Sequence, residues 1–82
     1  LDELREHHES RFVEVIEAVS AGRDTPWQVA GCMKWSRAWE SISGFMRRAA
    51  VGEAMAHIRA LERRGVLREM PGEPVRFEVV AA

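Results

Sequence analysis

This chain has no tyrosine, no second cysteine, no long apolar run and no strong excess of either charge. Without an apolar run approaching the ~20 residues of a membrane span, no membrane partner is expected. No signal-peptide pattern opens the sequence. A lone cysteine, Cys32, has no internal disulfide partner. It is expected to be a small buried apolar residue of a reducing, cytoplasmic compartment rather than a nucleophile. The net charge of −1 weighs against a dedicated nucleic-acid binder, because phosphate neutralisation supplies most of such affinity. Histidine is scarce too: His7, His8 and His57, with no H-x-H among them. There is no nucleophile–base pairing, metal-ligand spacing or glycine-rich phosphate loop. No catalytic residue, metal ligand or cofactor is therefore assigned to this chain, and an independent enzyme is not expected.

What is present suits one small soluble domain spanning residues 1–82. A chain of 82 residues buries only about 60% of its unfolded surface, so its stability margin is thin. Charge is unevenly placed. Residues 1–22 carry −4 and the remainder +3. The first residue is Leu1, not methionine, and a helical pattern is already running there. The expectation is the C-terminal part of a longer polypeptide.

Leu1, Leu4, His8, Phe12, Val15, Ile16 and Val19 recur at helical spacing and predict a first helix over 2–21. Asp2 and Glu3 suit its positive end, and Gly22 is the expected stop. His8 stands where a leucine would be expected, flanked by His7 and Arg11. Two readings are open. Either His8 is hydrogen-bonded inside the domain, or these turns project beyond the core so that His7, His8 and Arg11 meet another domain. Thr25-Pro26-Trp27-Gln28 is a T-x-x-Q capping box with proline at the first helical position. It predicts a short second helix over 26–33, burying Trp27, Val29, Ala30 and Met33. Thr25 could also supply a short strand. The connection from Met33 to Glu40 carries Trp35 and Trp39, four apart, either as a ligand box or as pins holding a long loop to the core. Ser36 could cap a turn there, and Ser43 is the expected cap of the next helix.

That helix, expected over 45–64, organises the chain. Val51, Ala54, Met55, Ile58 and Leu61 form its core stripe. Gly65 closes it after Glu62-Arg63-Arg64. Val66–Met70 and Val75–Val79 then read as two strands around the Pro71-Gly72-Glu73-Pro74 turn, with Val75, Phe77 and Val79 on one face. The expected fold is mainly α with a small β-hairpin wing, α+β. It is a winged helix-turn-helix of three helices and a two- or three-stranded antiparallel sheet. In DNA readers the outer face of the third helix carries hydrogen-bonding side chains for base edges. Here that face holds Ala49, Gly52, Glu53, Ala56 and Ala60. Small residues let another backbone approach, so this is a candidate protein-contact face; the alternative is a solvated surface using alanine for helix propensity. Glu73 makes the hairpin tip acidic, which is poor for a minor-groove contact.

These residues, in this order, carry a family likeness. HHESR, GRDTPWQVA, MKWSRAWES and GFMRRAAVGEAMAHIRALERRGVL together resemble the winged-helix domain that follows the catalytic domain of many bacterial metallo-β-lactamase-fold hydrolases. The likeness covers about residues 4 to 70. Its most specific parts are His7-His8 with Arg11, the Thr25-Pro26-Trp27 start, and Glu53, His57, Leu61 and Gly65. The resemblance implies an absent N-terminal catalytic domain with an H-x-H-x-D-H motif and two zinc ions. This chain would then be its non-catalytic accessory domain, packing on that domain or joining subunits, with His7, His8 and Arg11 at the junction. The competing expectation is a DNA-binding transcriptional regulator that uses Arg47, Arg48, Arg59, Arg63 and Arg64.

Overall fold

A computed structural model describes residues 2–80. Its elements are α1 (Asp2–Ser20), α2 (Pro26–Cys32), a 3-10 turn (Trp39–Ser41), α3 (Gly44–Arg63), β1 (Leu67–Met70) and β2 (Arg76–Val79). This is a small α+β fold. Three helices pack with one antiparallel hairpin, whose register sets Leu67 opposite Val79 and Glu69 opposite Phe77. The sheet has two strands. Asp24, just before α2, adds a single hydrogen bond to it, its carbonyl accepting from the Phe77 amide at 3.0 Å.

Local chemistry explains the ends. Thr25 accepts from the Gln28 amide at 3.2 Å while the Gln28 side chain reaches back to the Thr25 amide at 3.3 Å, completing the box that starts α2. Ser43 caps α3 by accepting from the Met46 amide. Gly65 ends α3 with φ at +78°, a left-handed conformation that glycine adopts without a Cβ penalty. The Val66 amide then bonds back to the Leu61 carbonyl at 2.9 Å, and the chain turns into β1.

The core is one layer of side chains between the helices and the hairpin. Phe12, Val15, Ala18 and Val19 come from α1, Val29 and Ala30 from α2, and Ala54, Ile58 and Leu61 from α3. Leu67 and Phe77 close it from the hairpin. The stripes expected on α1 and α3 lie inward from Phe12 and from Val51 onward, with Ile16, Val51 and Met55 half-buried at their edges. Leu1 and the side chain of Leu4 lie outside the described residues, as do Ala81 and Ala82.

Several expectations require correction. Of the two readings open for His8, the interior one is the one to drop: His8 is exposed where the first turns of α1 run past the end of the core. Cys32 is exposed, not buried: it is the last residue of α2, and Met33 takes the inward position. Trp27 is 50% exposed on the outer side of α2. Only Phe77 of the β2 stripe is buried; Val75 and Val79 lie near or beyond the edge of the layer it covers. Among the described residues no helix is long and apolar enough to cross a membrane.

Candidate interaction surfaces

Arg11 was expected to face outward with His7 and His8, but it turns inward. Its guanidinium donates to Glu14 Oε1 at 3.1 Å and to the Lys34 carbonyl, and lies 4.6 Å from the centre of the Trp35 ring. Glu14 Oε2 in turn accepts from the Lys34 amide at 2.9 Å. This clasp fastens the connection after α2 to α1, so Arg11 is spent within the domain. His7 and His8 remain exposed.

His8 leads into a column of rings. Its ring lies 5.7 Å from that of buried His57, which meets Phe12 edge-on at 5.4 Å. The Nδ1–H of His57 donates to the Glu53 carbonyl at 2.8 Å, satisfying a polar edge inside the seam between α1 and α3. Arg64 caps the column, 4.5 Å above the Phe12 ring. Among the described residues, no group of three or more His, Cys, Asp or Glu side chains is placed to hold a metal ion.

The tryptophans are packing residues. Trp35 donates through Nε1 to the Ala30 carbonyl at 2.8 Å, and both Trp35 and Trp39 are half-buried against the core. Trp39 pairs edge-to-face with Trp27 at 5.3 Å rather than with Trp35. Sequence spacing alone favoured the i, i+4 pair, but residues 35 and 39 are not on one helix: the 3-10 turn begins only at Trp39.

On α3 the outward face is bare. Ala49, Gly52, Glu53 and Ala56 are exposed, and a Cβ at Gly52 would meet nothing within 4 Å. Ala60 departs from this group; it is half-buried and packs on the core. A feature the residue types did not disclose lies at the start of this face. Phe45 is 80% exposed and Met46 55% exposed. Met46, Ala49 and Glu53 form one side of an open groove of about 520 Å³, with Trp35, Arg37 and Ile42 on the other. The signal was available: Phe45 precedes Ala49 by four residues and so extends the same face.

The arginines on or near α3 do not form one free positive surface. Arg47 donates to the Trp39 carbonyl from both Nε and Nη2, at 3.2 and 2.8 Å, and stacks on the Trp39 ring. Arg59 bonds Glu62 at 2.6 Å and Glu69 at 2.9 Å, over the edge of the core at Phe77. Those two hydrogen bonds, Glu62 first and then Glu69, hold its guanidinium above the ordinary arginine value. Arg64 sits 3.9 Å from Glu9. On the hairpin, Arg68 pairs with Glu78, and Arg76 lies 3.8 Å from Asp24. Arg48 and Arg63 are exposed with no ion pair among the described residues.

Known families, curated proteins and solved structures give no match to this chain. The surface itself is therefore the guide to function. It offers apolar and small-residue contact on α3; of the neighbouring arginines, Arg59 and Arg64 face carboxylates, Arg47 is held on a backbone carbonyl, and Arg48 and Arg63 stay without an ion pair among the described residues.

Proposed function

We propose that the chain is a non-catalytic winged-helix accessory domain of a metallo-β-lactamase-fold hydrolase, packing on the catalytic domain or joining subunits. The observation that carries this reading is the outward face of α3. Where a base-reading helix would present amides and guanidinium groups, it presents Ala49, Gly52 and Ala56 beside exposed Phe45. Exposed apolar surface of this kind suits polypeptide rather than phosphate. The paired zinc ions of such hydrolases would belong to the catalytic domain. His57 Nδ1 is committed to a backbone carbonyl, and among the described residues no carboxylate or thiolate joins the histidine rings to complete a donor set.

A DNA-binding regulator is the second reading. Its support is the order of three helices and a hairpin, with Arg48 and Arg63 free on α3. An anisotropy titration with labelled duplex DNA at low salt separates the two. The accessory reading expects weak binding. Tight binding that falls steeply with salt would overturn it. An H-x-H-x-D-H motif encoded upstream in the same reading frame would be the direct support.

A further inference from the structure

We infer that α3 is the seam of a parallel, two-fold dimer of this chain. The inference rests on the accessory-domain reading, which leaves this face free of nucleic acid, and it commits the face to a second copy.

The outward positions of α3 follow a heptad. Phe45 and Gly52 take d positions, Ala49 and Ala56 take a positions. The opposite positions are spent within the domain, Ala50 and Ala54 being buried in its core. The seam is not small residues alone. Phe45, 80% exposed, begins it, and the groove beside Met46 and Ala49 runs along its e side.

Charge selects the occupant. Arg48 falls at g and Glu53 at the following e. In a parallel pair, a g residue faces the e residue five positions on in the other helix, and such contacts set partner and orientation. Arg48 of each copy therefore meets Glu53 of the other, twice over, and the aliphatic stem of each arginine crosses the groove of its neighbour. Both side chains are exposed and neither has an ion-pair partner among the described residues. A two-fold contact of this type closes on itself, giving a dimer and not a filament. The seam stops at Ala56. Beyond it Arg59 and Arg63 take the next d and a positions, and Arg59 is drawn aside to Glu62 and Glu69.

Sedimentation equilibrium on the 82-residue chain, whose mass is 9.3 kDa, tests this. A reversible monomer–dimer equilibrium is expected. Arg48→Glu or Glu53→Arg alone should weaken it about tenfold at low salt, since each sets like charges against one another at two places. The double variant Arg48→Glu/Glu53→Arg should return to within about threefold of the starting value. Circular dichroism of each variant checks that the fold is kept. A chain monomeric up to about 1 mM overturns the inference, as does an equilibrium indifferent to Arg48→Glu or a double variant no better than the singles. These outcomes leave the DNA titration untouched, so either idea can fail alone.

Discussion

Arg11 shows how a cation can hold a small domain together from within. Its guanidinium answers a carboxylate, a backbone carbonyl and an indole face at once. Arg11→Met keeps most of the stem but leaves the Lys34 carbonyl without its donor. Urea denaturation should show a loss of about 1–3 kcal/mol. Leu61, 2% exposed, belongs to the core proper. Leu61→Ala should cost about 2–5 kcal/mol, enough to prevent folding in so small a chain. A loss under ~1 kcal/mol would mean that the inner face of α3 is wrongly assigned. Periodicity finds Leu61 because its neighbours at 54 and 58 repeat the same side. Periodicity leaves His8 undecided, because a helical stripe does not reveal where the core beneath it ends. Arg11 is misread for a related reason: its partners, Lys34 and Trp35, lie more than twenty residues away.

At the scale of elements, boundaries set by local chemistry were legible and long connections were not. Thr25 with Gln28, Ser43 and Gly65 each act on a few adjacent residues, and each lies where spacing predicts. Thr25→Ala removes the acceptor that satisfies the Gln28 amide, and thermal melts should show a loss of about 1 kcal/mol. Gly65→Ala isolates a backbone effect. A Cβ there meets nothing within 4 Å, so the expected cost of about 1–2 kcal/mol comes from the left-handed conformation alone. The stretch from Lys34 to Ile42 resisted reading because side-chain bonds to backbone carbonyls, outside any helical or strand repeat, shape it: Arg11 to Lys34, Trp35 to Ala30, and Arg47 to Trp39. The hairpin was legible as two strands, but its burial was not. With only two strands, one side chain from each, Leu67 and Phe77, fills the position over the helices.

For the molecule as a whole, charge balance matters more than net charge. Among the described residues Arg11, Arg59, Arg64 and Arg68 are engaged by Glu14, Glu62 and Glu69, Glu9, and Glu78, whereas Arg23, Arg37, Arg48 and Arg63 carry no ion pair. The raised Arg59 guanidinium adds stability that is complete below its ordinary titration range and lost only as pH climbs through the raised value. Between pH 6 and 9, about the usual working range, the stability of the parent and of Arg59→Gln should therefore run parallel with pH, which denaturation of both at stepped pH can check. The α3 face is legible from its residue types and Phe45 extends it at helical spacing, whereas the groove along Met46 and Ala49 emerges only once the 35–43 connection is folded back on the helix.

The Cα dimensions are 35 × 35 × 18 Å, the proportions of a tile. A tile this thin has one filling between two skins, and no depth in which to hide an error. Laying another polypeptide over either broad side would turn skin into filling without lengthening the chain by a residue. A second copy seated on α3, as inferred above, would make the resistance of this protein to heat climb with its own concentration.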